Sequence, residues 1–175
     1  MKNKGRYDVS NLAEAQYEPG SDDKVLKNML GVTNPDEMDR IETGEMARIT
    51  DHMIKEYDQS HRFNAIDICH MHNIWPGEIY EWAGRYRRVN LSKDDFSFAM
   101  ASQIPQLMEK YEKEQLAMYT PCIFDKRKDV VHAIAETHTE LVLIHPFRDG
   151  NGRVARLLST LMALQAELPA NGRTI

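Results

Sequence analysis

The sequence predicts an all-α domain that carries one short β-hairpin. Three observations lead there. Apolar residues recur at three- and four-residue intervals along most of the chain, a period-two pattern occurs between Gly84 and Phe98, and helix-starting and helix-stopping residues punctuate the apolar runs. No further strand runs are available for pairing, which leaves helix-on-helix packing as the architecture. At 175 residues the chain suits one domain, large enough to bury roughly 70% of its unfolded surface.

Taken in order, residues 1–20 are polar and close on Pro19-Gly20-Ser21, which reads as a flexible arm ahead of a domain at 21–170 and a short tail at 171–175. Asn34-Pro35-Asp36-Glu37 is a helix start, with Asn as N-cap, Pro in the first position, acids in the first turn and Glu37 placed for a capping box. Met38, Ile41, Met46, Ile49, Met53 and Tyr57 continue at helical spacing. A second helix is predicted from near Ser60 to Trp75, stopped by Pro76-Gly77. Arg85 to Ser92 alternates loosely and is bounded by Gly84 and by Asp94-Asp95, so 84–98 reads as a hairpin or extended flap. A helix from about Ser102 to Tyr119 carries Ile104, Leu107, Met108 and Tyr111 on one side. The longest run, Asp125 to Ile144, has Val130, Ile134, Leu141 and Ile144 as its inward stripe, and a last helix ends near Leu168-Pro169.

Composition excludes several roles. No stretch of about 18 apolar residues exists to span a membrane. The basic Met1-Lys2-Asn3-Lys4-Gly5-Arg6 leads into polar residues, unlike a secretory signal. A net charge of -5 argues against direct nucleic-acid binding, which needs a basic face to displace counterions. Cys69 and Cys122 are the only cysteines, and reduced thiols in a cytoplasmic protein are favoured over one disulfide. His70 and His72 point to different sides of a helix, and His132 and His138 miss the i, i+4 spacing of a zinc helix.

The chemistry concentrates in His145-Pro146-Phe147-Arg148-Asp149-Gly150-Asn151-Gly152-Arg153-Val154-Ala155-Arg156. Pro146 disfavours helix at the residue before it, so His145 is expected where the long helix stops, as a base facing the loop or as a structural histidine satisfying helix-end carbonyls. Asp149 suits either a helix cap or one oxygen for Mg²⁺, which favours one or two carboxylates plus phosphate oxygens. Gly150, Asn151 and Gly152 form a turn that runs into a helix N-terminus, and this geometry attracts anions. Arg153 and Arg156 lie in the first turns of that helix, where the macrodipole disfavours cations. Phosphates between them explain both, and Arg148 joins them as a candidate phosphate contact.

Those twelve residues resemble the signature of the Fic family, His-x-Phe-x-(Asp/Glu)-Gly-Asn-Gly-Arg-x-x-Arg, at every specified position. Ile79-Tyr80-Glu81-Trp82-Ala83-Gly84 and Arg88-Val89-Asn90-Leu91-Ser92-Lys93 are similar to the family's pre-flap segment and target-binding flap, and Pro19-Gly20-Ser21 with 25–31 to the start of its short bacterial members. The resemblance implies a Fic fold and transfer of AMP from ATP to a Ser, Thr or Tyr hydroxyl of a target protein. His145 would be the base and Asp149 the Mg²⁺ ligand. Gly150, Asn151 and Gly152 would cradle the phosphates, Arg153 would steady them, and Arg156 would reach the γ-phosphate. Val89, Asn90, Leu91, Ser92 and Lys93 would hold an extended target segment by main-chain pairing. Met29 and Leu30 are expected on the adenine side. The family's Doc branch, a kinase, carries Ala and Lys where this chain has Gly150 or Gly152 and Arg153. Transfer of UMP or phosphocholine, AMP removal, and a non-catalytic nucleotide-binding module remain alternatives.

The same resemblance bears on regulation. Many members are silenced by a helix bearing Ser/Thr-x-x-x-Glu-Gly/Asn, whose Glu pairs with the arginine that is Arg156 here. Ser10-Asn11-Leu12-Ala13-Glu14-Ala15 approaches this pattern but has Ala15 in the last place. Glu14 therefore reads either as an inhibitory residue or, preferably, as an exposed charge in the arm. A small antitoxin supplying the glutamate in trans is the other expectation. A type II topoisomerase subunit is the first target the resemblance suggests.

Overall fold

Residues 11–168 are described in a computed structural model of the chain. Helix α1 spans Pro35–Glu56 and α2 spans Ala65–Ile74. Strands β1 (Ser92–Lys93) and β2 (Phe96–Ser97) form one antiparallel hairpin, with Ser92 opposite Ser97 and Lys93 opposite Phe96. Helix α3 (Ile104–Tyr111) continues through a wider turn at Glu112–Leu116 into α4 (Ala117–Tyr119). Helices α5 (Arg127–Ile144) and α6 (Asn151–Gln165) follow and pack on each other. The fold is all-α with one small hairpin, as the sequence predicts. Among the described residues, no helix is long and apolar enough to cross a membrane.

Local chemistry sets the helix starts. Asn34 caps α1 by accepting from the Glu37 N–H at 3.0 Å, with Pro35 in the first turn. Asn64 and Asp67 make a reciprocal capping box on α2, and so this helix begins at Ala65 and not near Ser60. The Ser60 N–H and hydroxyl are instead engaged by Asp58, at 2.8 and 2.7 Å. The period-two reading of 85–92 is also corrected. Only Ser92–Lys93 and Phe96–Ser97 pair, because the N–H of Arg87 bonds to the carbonyl of Pro146 and that of Arg88 to the Glu14 carboxylate.

The core lies between α2, α3, α5 and α6, where Ile68, Met71, Trp75, Met108, Tyr111, Leu141, Leu158 and Phe147 are buried together. A second cluster, Val25, Met38, Ile79, Tyr80 and Trp82, joins α1 to the segment before the flap. Part of the stretch read as an arm is fixed to this cluster. Ala13–Ala15 form a short turn of 3-10 helix, and Tyr17 pairs with Leu26. Residues 1–10 and the tail at 171–175 lie outside the described residues. Both cysteines are free thiols.

Phe147 brings the α5–α6 loop into the larger cluster, where it is fully buried and stacks on His72 at 3.8 Å between ring centres. Burial of such a ring anchors the loop from below. Phe147→Ala is predicted to lower unfolding stability by about 3–5 kcal/mol, measured by urea titration of the intact chain, and a loss under about 1 kcal/mol would contradict the anchoring role.

Candidate active site

The α5–α6 loop is closed on itself by one side chain. Asn151 Oδ1 accepts from the Phe147 N–H at 2.8 Å, and its Nδ2 donates to the Phe147 carbonyl at 2.9 Å. Asn151 is buried, so these bonds replace water for both residues at once. A second brace comes from α2. The Gly84 N–H donates to His72 Nδ1 at 2.8 Å, which makes Nε2 the protonated nitrogen, 3.0 Å from the Asp149 carbonyl. Burial drives the His72 pKa down to about 4, so the ring stays neutral and keeps both contacts.

His145 caps α5 in the left-handed conformation (φ 54°, ψ 59°), with its N–H on the Leu141 carbonyl. Its Nδ1 lies 3.1 Å from the Val142 carbonyl, an acceptor, so Nδ1 carries the proton and Nε2 keeps its lone pair. The ring stacks on Phe98 of the flap at 3.7 Å. Burial lowers the His145 pKa, and the Arg87 and Lys93 charges push the same way. Both proton positions and charge state therefore suit a base at neutral pH.

Opposite the imidazole is the start of α6. The Arg153 and Val154 N–H groups turn back to the Gly150 carbonyl, while a helix's first amides lack partners within it. Gly150 has φ +78° and lies under Trp75, where an added Cβ would stand 2.0 Å from the indole. Arg153 lies over the same indole at 4.9 Å, and its Nη1 donates to Glu42 Oε2 at 2.8 Å. Glu42 is buried on α1, accepts from the Tyr80 hydroxyl at 2.8 Å, and has its pKa raised by burial. Arg156 is exposed and has no acidic partner among the described residues.

Most predicted site residues come together. His145, Arg148, Asp149, Gly150, Asn151, Gly152, Arg153 and Arg156 line one cleft with Leu91, Ser92 and Lys93 of the flap, Phe98 and Glu42. Its volume of about 610 Å³ falls in the range of small-ligand sites. Val89 and Asn90 do not line it. The Val89 carbonyl faces Arg87, and Asn90 Oδ1 accepts from the Ala101 N–H. Met29 and Leu30 are exposed but lie outside the lining. Glu14 corrects the reading of an exposed charge: it is buried, and its carboxylate accepts from the Arg88 N–H. The partner of its carboxylate is Arg88 and not Arg156, and its carbonyl accepts from Arg148 Nε at 2.7 Å.

The balance between the two arginines also differs from the macrodipole argument. Arg153 is compensated by Glu42 and, more weakly, by Asp39 at 3.5 Å, so its presence has a structural cause. Sequence reasoning missed Glu42 and His72. A signal existed for each: Glu42 lies four residues after buried Met38, and His72 falls on the stripe Ile68, Met71, Trp75. A polar residue on an inward stripe is a bonded residue.

A helical fold with a flap and a histidine facing a glycine-bounded helix start defines a class, and the Fic/DOC family profile matches residues 62–163. The chain belongs to that family. It is similar to the protein adenylyltransferase VbhT of Bartonella schoenbuchensis, 30% identical over 166 residues that cover 92% of this chain and 32% of that protein. It is also similar to the N-terminal Fic domain of a VirB-translocated Bep effector protein from Bartonella quintana with bound ADP. That structure is 26% identical, with a TM-score of 0.67, covering 81% of this chain and 72% of the other. A BepC protein of Bartonella tribocorum with bound AMPPNP shares the fold at a TM-score of 0.72 and 20% identity, covering 89% and 80%. The chain spans about a third of the length of VbhT.

Because Gly150 combines a positive φ with contact to Trp75, Gly150→Ala is predicted to displace the start of α6, and any affinity of the cleft for Mg·AMPPNP should fall at least tenfold. The substitution should also lower stability by more than about 1 kcal/mol. Calorimetric titration with Mg·AMPPNP checks the first, and wild-type affinity in the variant would contradict the cradle.

Proposed function

We propose that this chain transfers AMP from ATP to a hydroxyl of a target protein. The observation that carries the reading is the pairing of a neutral imidazole, its Nε2 free, with a helix start and an uncompensated Arg156 across one cleft. The ADP held by the related Bartonella quintana domain supports it.

The residues present fit a magnesium ion that arrives with the nucleotide. Asp149 is exposed in the cleft, and one of its oxygens accepts from the Gly150 N–H at 2.7 Å, which leaves the other to serve as ligand. No cluster of three or more His, Cys, Asp or Glu side chains able to hold a metal exists among the described residues. A single carboxylate plus phosphate oxygens is a magnesium pattern. A bound Mg²⁺ would neutralise phosphate charge and favour departure of pyrophosphate.

In this mechanism the Asn151 and Gly152 amides and the α6 dipole bind the phosphates, and Arg156 fixes the outermost one. Arg153, held on Glu42 and Trp75, gives a rigid positive wall. The flap edge at Leu91–Lys93 pairs with an extended target segment and brings its hydroxyl to His145. Nε2 accepts the hydroxyl proton as the oxygen attacks the α-phosphorus. The new O–P bond forms as the bond from the α-phosphorus to the bridging oxygen breaks, and pyrophosphate leaves. Positioning and charge stabilisation supply most of the rate. Because Arg156 has no acidic partner among the described residues and Glu14 is engaged by Arg88, inhibition by a glutamate from a separate antitoxin protein fits this chain better than inhibition by Glu14.

Label from α-labelled ATP is expected to enter bacterial proteins, and label from γ-labelled ATP is not. The reverse pattern means a kinase, and no label with either contradicts transfer. His145→Ala should reduce transfer by about 10²–10⁴-fold while Mg·AMPPNP affinity stays within about twofold. The His145 pKa is lowered, so the rate should climb with pH below about 6.5 and be level above it. An acid limb centred above pH 7 would contradict the assignment of the base.

A further inference from the structure

Arg87 is a buried cation with no carboxylate at ion-pair distance among the described residues, although the charge of Glu14 acts on it from further away. Its planar guanidinium meets three backbone carbonyls from three segments. Nε donates to His145 at 2.7 Å, Nη1 to Val89 at 2.7 Å and Nη2 to Ala99 at 2.6 Å. Its own N–H donates to the Pro146 carbonyl at 2.9 Å. Burying an arginine on neutral acceptors is costly, and burial lowers its pKa. A cheaper core would place an apolar residue here.

The three acceptors explain the choice. Val89 and Ala99 flank the Ser92–Ser97 hairpin on its two sides, and His145 presents its carbonyl to Arg87 from a left-handed turn. Phe98, next to Ala99, stacks on the His145 ring. One rigid fork thus ties both feet of the flap to the residue that holds the imidazole. Lysine could not reproduce this, since an ammonium lacks the planar spread of donors.

We propose that Arg87 is a positioning residue that sets the register between the flap and His145, acting on the rate of transfer and not on nucleotide binding. The inference rests on the proposed roles of His145 and the flap.

Arg87→Lys and Arg87→Met are compared with wild type and His145→Ala, using α-labelled Mg·ATP at saturation and a bacterial lysate as acceptor. Both Arg87 variants are expected to lose at least 30-fold in labelling rate, with Mg·AMPPNP affinity within threefold of wild type. Amide hydrogen exchange should rise at least tenfold at 89–99 and stay unchanged in α5 and α6. Labelling within threefold of wild type would overturn the proposal, as would restoration by lysine, or a loss of nucleotide affinity equal to the loss of rate. If neither variant is folded at the assay temperature, Arg87 holds the whole fold and the proposal is wrong. Absence of label with wild type sinks the transferase reading itself, and with it this inference. Label in wild type with unaffected Arg87 variants sinks this inference alone.

Discussion

The backbone of His145 turns into a left-handed conformation where α5 ends, and the rest of the site depends on that turn being held. A non-glycine residue there costs about 1–2 kcal/mol, so something must offset it. The offsets are visible: the His145 N–H stays on Leu141, its carbonyl is taken by Arg87, and Pro146 follows with its own carbonyl bonded to the Arg87 N–H. The turn swings the imidazole out of the helix and into a cleft that also holds the start of α6. Without it, the ring would lie along α5.

Around this turn, the buried polar groups divide into two sets with different tasks. Asn151, His72 and Arg87 bond only to backbone, and they fix the path of the loop and the feet of the flap. Glu42 bonds to side chains, and it fixes the direction of Arg153. The groups that face the cleft, Asp149 and Arg156, are by contrast exposed. Those two are left open to a ligand, whereas Arg153 is held in place, and a charge held in advance stabilises a developing anion without reorganising.

Much of the fold was legible because helix signals are local. Asn34-Pro35 and the spacing of Met38, Ile49 and Met53 give α1 within a residue or two, α5 follows from its stripe, and α6 starts in the motif as expected but ends at Gln165 and not near Leu168. The flap was legible as a break in pattern but not in extent, since tertiary bonds to Pro146 and Glu14 claim the backbone of Arg87 and Arg88. The α5–α6 loop could be read because its residues are contiguous. Glu42, His72 and Arg87 could not be assigned a role that way. Each acts across 58 to 111 positions, a distance that local periodicity does not encode. Glu14 misled for the same reason: its polar surroundings in sequence hide its burial and its bonds to Arg88 and Arg148.

In the proposed function a triphosphate lies along the start of α6 with the His145 imidazole beside its innermost phosphorus. A crystal of the chain grown with Mg·AMPPNP tests this most directly. The phosphates should rest on the Asn151 and Gly152 amides and on Arg156, with Asp149 at the metal and His145 Nε2 turned toward the α-phosphorus. Nucleotide bound elsewhere, or an imidazole rotated so that Nε2 faces the interior, would contradict it.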